Sequence, residues 1–185
     1  FVLEEETVEA VNGVSLHIKK GETLGLVGET GAGKTTTALS ILRLIDSPPG
    51  ELTCDKLEVC GKDVLHMTTP ELEHIRGGLV SMIFQDPMTT LNPVLTMETQ
   101  LVESMKDEHM TKKQKKEYAE ELFRLVGIPS PKERLKCYAH QFSGGMRQRA
   151  MIAIALASKP HLLLADEPTT ALDVTIQDQI IKLLK

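Results

Sequence analysis

The stretch Gly28-Glu29-Thr30-Gly31-Ala32-Gly33-Lys34-Thr35 fits the spacing G-x-x-x-x-G-K-[ST], and each residue type in it suits polyphosphate chemistry. Glycines let the backbone curl until successive N–H groups point inward, and the N-terminus of a following helix adds partial positive charge. Lys34 is then expected to reach the β- and γ-phosphates of a nucleoside triphosphate, and the Thr35 hydroxyl to ligate a bridging Mg²⁺. Thr36 adds a further hydroxyl. A glycine-rich turn that binds nothing could use the same residues, so the flanking context decides between the two. The apolar run Thr23-Leu24-Gly25-Leu26-Val27 before the loop reads as a buried strand, and Thr37-Ala38-Leu39-Ser40-Ile41-Leu42 after it as a helix.

A second chemical signal lies near the other end. Leu162-Leu163-Leu164-Ala165-Asp166-Glu167 is an apolar strand ending in two adjacent carboxylates. In a parallel sheet its carboxyl end falls at the same edge as the phosphate loop, so Asp166 is expected to hold Mg²⁺ and Glu167 to act as general base on the attacking water. A strand capped by two solvated acids before a Pro turn is the simpler alternative, and the nearby phosphate loop weighs against it.

These residues need elements to carry them. Val14, Leu16 and Ile18 alternate with Ser15, His17 and Lys19, the pattern of a half-buried strand, and Lys20-Gly21-Glu22 reads as a turn. The helix from about Gly33 to Leu44 places Ala38, Ile41, Leu42 and Ile45 on one face and stops at Ser47-Pro48-Pro49-Gly50. Leu57-Glu58-Val59 suggests a short strand, Thr69 a cap with Pro70 at the first helical position, and Leu79 to Phe84 another strand ending at Gln85-Asp86-Pro87. From residue 86 to about 158 the signals are helical. Thr111 is a plausible cap, with Tyr118, Leu122, Leu125 and Val126 as the apolar face of its helix, and Ser143 caps the run Met146 to Ala157. Val174 to Lys185 reads as a further helix.

Composition sets the outer bounds. A chain of 185 residues, 41% hydrophobic and 25% charged, suits one soluble domain and is long enough to bury a core. No apolar run approaches the length needed to cross a bilayer, and Phe1-Val2-Leu3 passing straight into Glu4-Glu5-Glu6 does not read as a secretory leader. A formal charge of −5 argues against a nucleic-acid-binding face. Cys54, Cys60 and Cys137 are odd in number and lack metal or disulfide spacing, so they read as reduced thiols. His17, His66, His74, His109, His140 and His161 are scattered and read as structural or surface residues. The lysine cluster Lys112 to Lys116 reads as a solvated helix face, with acidic lipid or a partner as the less ordinary alternative.

Taken together, the motifs make the chain resemble the nucleotide-binding subunit of ATP-binding cassette (ABC) transporters over nearly all its length. They stand in that family's order: the phosphate loop at Gly28 to Thr35, the glutamine loop at Gln85, the signature Phe142-Ser143-Gly144-Gly145-Met146-Arg147-Gln148-Arg149, the acidic strand to Glu167, and Ala171-Leu172-Asp173 as the D-loop. The stretch Phe84-Gln85-Asp86-Pro87-Met88-Thr89-Thr90-Leu91-Asn92-Pro93 looks like the branch that imports oligopeptides, dipeptides or nickel.

The resemblance implies an α/β fold with a P-loop NTPase (RecA-like) core, a mostly parallel sheet, an antiparallel β N-terminal part and an inserted helical subdomain. Residues 1–85 and 159–185 would form the core, lacking its C-terminal part, and residues 86–158 the helical subdomain. It further implies ATP and Mg²⁺ as ligands, with Gly28 to Thr36 on the nucleotide, Thr35, Gln85 and Asp166 on the metal, and Glu167 with Gln85 in catalysis. Ser143, Gly144, Gly145 and Met146 would face the ATP of an opposing subunit, with Asp173 at the dimer seam. The implied partners are a second nucleotide-binding subunit, identical or not, transmembrane permease subunits and, indirectly, an extracytoplasmic substrate-binding protein; nucleic acid is not among them. The protein would sit peripherally on the cytoplasmic face of the membrane and couple hydrolysis to uptake.

Two departures stand out. The family's switch histidine falls beyond the last residue, so this chain alone is expected to hydrolyse ATP weakly or not at all. No aromatic residue for adenine stacking is evident between Glu4 and Glu9, and Phe1 lies at the terminus. The rival readings are a soluble non-transport ABC ATPase and a nucleotide-dependent regulatory module.

Overall fold

The computed structural model describes residues 8–184. Phe1 to Thr7, where an adenine-stacking residue was sought, lie outside the described residues. The chain divides into two compact units, one running to Leu72 and the other from Glu73.

In the first unit, helix α1 spans Lys34–Ile41 directly after the glycine loop. Its entry depends on Gly33, whose φ of 80° suits a residue without Cβ; a Cβ there would stand 2.4 Å from the Ala10 carbonyl oxygen. Strands β1 (Glu58–Val59) and β2 (Lys62–Asp63) pair antiparallel about a Cys60-Gly61 turn, both turn residues having positive φ. The antiparallel part of this unit therefore lies at residues 58–63.

The expected strands at Val14 to Ile18 and Thr23 to Val27 do not form. Alternation and apolar runs say which face a segment would bury, but a strand exists only through a ladder with a neighbour. Backbone bonds in this region are local, such as Glu22 N–H to the Lys19 carbonyl at 3.0 Å, and Val27 is 95% exposed. The stretch reaches the loop without helix or strand structure.

Helix α2 spans Thr69–Ile75. Its start is fixed one residue earlier than the sequence pattern suggests, because both the N–H and the hydroxyl of Thr68 donate to Glu71 Oε2 at 2.7 Å. These bonds favour the charged carboxylate and hold the Glu71 pKa below its ordinary range.

The second unit contains the core. Strands β3 (Val80–Ile83) and β4 (Leu162–Ala165) pair in parallel, with Val80 opposite Leu162 and Ile83 opposite Ala165. All four residues of β3 are buried, as expected for a parallel strand covered on both faces. Between the two strands the chain is helical: α3 (Pro87–Thr90), α4 (Met97–Ser104), α5 (Lys112–Leu125), α6 (Pro131–Arg134), a 3₁₀ turn at Ala139–Gln141, and α7 (Gly144–Ala157). Helix α8 spans Val174–Leu184.

α5 begins with a reciprocal box, Thr111 Oγ1 accepting from Gln114 N–H while Gln114 Oε1 accepts from Thr111 N–H; such a cap contributes about 1 kcal/mol. Its buried face is Ala119, Leu122, Phe123 and Val126, the i, i+3, i+4, i+7 stripe, whereas Leu125 points to solvent. Phe123 stacks obliquely on Phe142 with ring centroids 6.2 Å apart. α7 is the central helix, and its alanines at 150, 153, 155 and 157 let neighbouring elements approach closely. Among the described residues no helix is long and apolar enough to cross a membrane.

Candidate functional site

The phosphate loop is held by its own lysine. Lys34 Nζ donates to the Gly28 carbonyl at 2.7 Å and the Glu29 carbonyl at 2.8 Å, closing residues 28–34 into a ring. The Ala32 N–H turns back onto the Glu29 carbonyl at 3.1 Å, and Gly31 and Gly33 have φ near +80°. The Gly33 carbonyl accepts from both Thr37 N–H and Thr37 Oγ1 at 2.8 Å, and Ser40 Oγ donates to the Thr36 carbonyl, so α1 is stitched from its first turn. The cap, Gly33, has no side chain and so supplies no acceptor of its own to the start of α1. The predicted binding residues Gly28 to Thr36 thus form a curled turn opening a helix, with Lys34 folded back across it. This loop belongs to the first unit; the remaining candidates belong to the second.

In the second unit the parallel ladder sets two segments level. Ile83 pairs with Ala165, and the Asp166 N–H continues the ladder to the Ile83 carbonyl at 2.9 Å. Both strands point the same way, so Gln85 and Glu167, each two residues past that last pair, emerge side by side. Gln85 Nε2 donates to Glu167 Oε2 at 3.1 Å. Each is fixed from behind. After Gln85, Asp86 caps α3 by accepting from Met88 N–H at 2.8 Å, with Pro87 at the first helical position. After Glu167, the chain turns so that Thr170 Oγ1 donates to the Glu167 carbonyl at 2.6 Å. Asp166, between strand and turn, is buried, while Gln85 and Glu167 are exposed and face what approaches the strand ends.

The signature forms the N-terminus of α7. Ser143 Oγ accepts from Met146 N–H at 3.4 Å, Gly144 has open space where a side chain would go, and a Cβ on Gly145 would stand 3.2 Å from the Ala171 carbonyl oxygen. That close approach packs the signature turn against the segment carrying Asp173. Arg149 ties the same place together: its Nε donates to the Gly145 carbonyl at 3.2 Å and its guanidinium to the Gly127 carbonyl, just past the end of α5. Burial lowers the Arg149 pKa, and the Asp173 charge opposes that shift. Arg147 donates to the Ala139 carbonyl at 2.9 Å and touches Met88, linking α7 to the segment after Gln85. Met146 packs against the core.

The structure therefore brings together Gln85 with Glu167, and Gly145 with the loop leading to Asp173. Among the described residues no three or more His, Cys, Asp or Glu side chains cluster as a metal site would require. His66 pairs with Asp63 at 2.7 Å, and His140 stacks on Tyr138. All three cysteines are free thiols. Sequence reading assigned no role to Gln148 or Thr170, whose side chains both donate to the Glu167 carbonyl. For Gln148 the available signal was a lone amide among Ala, Met and Ile on a buried helix.

Comparison with known proteins bears on the family and the fold. Residues 11–170 match the sequence family described as ABC transporter. The chain is 50% identical over 179 residues to the oligopeptide transport ATP-binding protein OppD of Bacillus subtilis, covering 96% of this chain and 50% of that one. Against the dipeptide transport ATP-binding protein DppD of Escherichia coli it is 49% identical, covering 98% and 55%. It spans about half the length of these curated relatives. Among solved structures, the dimeric post-hydrolysis ATP-binding cassette MJ0796 bound to ADP and Pi superposes with a TM-score of 0.86 at 29% identity, covering all of this chain and 77% of that one. With its parallel strand pair, its inserted helices and a match over most of its length, the chain belongs to the ABC transporter family and has the α/β fold of its ATP-binding cassettes.

Proposed function

We propose that the chain is the ATP-binding and ATP-hydrolysing portion of an importer subunit, and that its cargo is an oligopeptide or dipeptide, with nickel as the chemically distinct alternative. The observation that carries the hydrolytic part is the hydrogen bond between Gln85 and Glu167 at the level ends of β3 and β4. An exposed carboxylate held through one oxygen by an amide at a strand end could orient a water and take its proton. Lys34 and the N–H groups opening α1 would grip the β- and γ-phosphates, whose charge grows in the transition state.

Mg²⁺ suits the oxygen types proposed for it: Thr35 would offer a hydroxyl from the first unit, and Gln85 and Asp166 an amide carbonyl and a carboxylate from the second, Gln85 using its nitrogen on Glu167. When bound, the metal would neutralise charge on the bridging phosphate oxygens. Ser143, Gly144, Gly145 and Met146 would meet the ATP of a second nucleotide-binding subunit, with Asp173 at the seam. The names of the relatives support the peptide cargo, and the dimeric MJ0796 cassette supports the pairing. Permease subunits and, through them, an extracytoplasmic binding protein complete the assembly. The protein would work peripherally on the cytoplasmic face of the membrane.

The test is Glu167→Gln in the full-length protein. It should bind MgATP as the wild type does and turn over at least about a hundredfold more slowly, the usual loss when a positioned base is removed. Turnover at the wild-type rate would remove the assignment.

A further inference from the structure

Glu167 occupies a backbone conformation that its own chemistry would not choose. Its φ is 46°, in the left-handed region where a residue with a Cβ is strained. Such a residue stays there only when its surroundings over-determine it. Two side chains converge on its main-chain carbonyl. Thr170 Oγ1 donates at 2.6 Å from the following turn, and Gln148 Nε2 donates at 3.5 Å from the middle of α7. The Thr170 N–H adds a weaker bond at 3.4 Å.

Gln148 is the more telling of the two. It is fully buried, and its Oε1 is the one buried side-chain polar atom without a hydrogen-bond partner among the described residues. An orphaned acceptor in a helix otherwise lined with Ala, Met and Ile weakens the fold, and an apolar side chain of the same length would pack without that penalty. Among the described residues, its amide bonds to the Glu167 carbonyl alone.

We propose that Gln148 and Thr170 are positioning residues for hydrolysis: they lock the Glu167 backbone in its left-handed turn and so aim its carboxylate at Gln85. This rests on the reading of Glu167 as the base. Released to an ordinary helical or extended φ, the Cα–Cβ bond of Glu167 would swing away, and the 3.1 Å contact with Gln85 would be lost. The signature helix would then serve the subunit's own water as well as the opposite subunit's nucleotide.

The experiment compares kcat, KM for ATP and Tm of Thr170→Val, Thr170→Ser, Gln148→Met and Glu167→Gln in the full-length protein. Thr170→Val should lower kcat roughly tenfold at constant KM, because a misaimed base slows the chemical step without touching nucleotide binding, and Thr170→Ser should restore the rate. Gln148→Met should lower kcat by a similar factor with Tm unchanged or raised. The double variant should lose less than the product of the two, since both bonds end on one carbonyl. If Thr170→Val and Gln148→Met keep wild-type kcat while Glu167→Gln is inactive, the inference falls and the base assignment stands. A loss of kcat in Gln148→Met that tracks a fall in Tm also overturns it. Wild-type turnover by Glu167→Gln would overturn the base assignment and the inference with it.

Discussion

Two helices in this molecule begin with glycine-rich turns, and they begin differently. α1 is capped by Gly33 at φ 80°, with no side-chain acceptor, and its lysine is folded back onto the loop carbonyls. α7 is capped by Ser143 at φ −66°, whose hydroxyl already accepts one of the orphan N–H groups. α1 has eight residues and buries none of them; α7 has fourteen and buries seven. On the reading proposed above, the first helix start would take an external anion, and it is held by bonds within its own loop rather than by burial. The second is anchored by the core behind it and satisfies part of its own polarity, so it presents a weaker but more rigid face. A strong grip and a fixed probe are different tasks, and the capping chemistry separates them.

The contrast is broken most directly at Lys34. Lys34→Ala should abolish measurable MgATP binding and lower turnover by a factor of about a hundred or more, the scale for removing a charged donor from a transition-state site. Since Lys34 also bridges two loop carbonyls, limited proteolysis within residues 28–33 should speed up in the variant. Normal nucleotide binding by Lys34→Ala would mean that the two turns are not functionally distinct.

The effect at the signature should be smaller and of another kind. Gly145→Val must push the Ala171 carbonyl away from α7, so turnover should fall by roughly tenfold while nucleotide affinity is kept, as expected when positioning rather than binding is lost. Gly144→Ala, with open space at its Cβ, is the control that leaves Tm unchanged. A loss of affinity in Gly145→Val equal to that in Lys34→Ala would erase the distinction. Ser143→Ala sharpens it at the low end: loss of one long cap bond should cost about 0.5–1 kcal/mol, read as a small fall in Tm by calorimetry.

How far the sequence foretold this depends on the range of the forces involved. Thr111 and Ser143 announce helix starts because capping is settled within four residues, whereas Asp86, the cap on α3, reads in the sequence only as a strand end. Strands β3 and β4 were legible as short apolar runs ending in polar residues, and their level ends followed once parallel pairing was assumed. The segments at Val14 to Ile18 and Thr23 to Val27 carry equally good patterns and form no ladder, since pairing depends on a partner the local pattern cannot name. Phe123 displaces Leu125 from the buried face of α5 for a similar reason: the neighbouring Phe142 decides which side faces inward. The motif residues of the candidate site were all visible as residue types. What was not visible was the support behind Glu167, because Gln148 lies nineteen positions away and meets it only after α7 and β4 have packed.

The pairing of Gln85 with Glu167 has one last implication. The two are separated by 82 positions, yet their spacing is set by four rungs of peptide ladder that run in a common direction. A slip of a single rung would displace one relative to the other by about 3.3 Å and turn its side chain to the opposite face, more than any hydrogen bond tolerates. The accuracy of that contact is thus inherited from main-chain geometry. A substitution within β3 or β4 would be felt as packing and leave that spacing in place, while a single inserted or deleted residue in either strand would silence the pair outright.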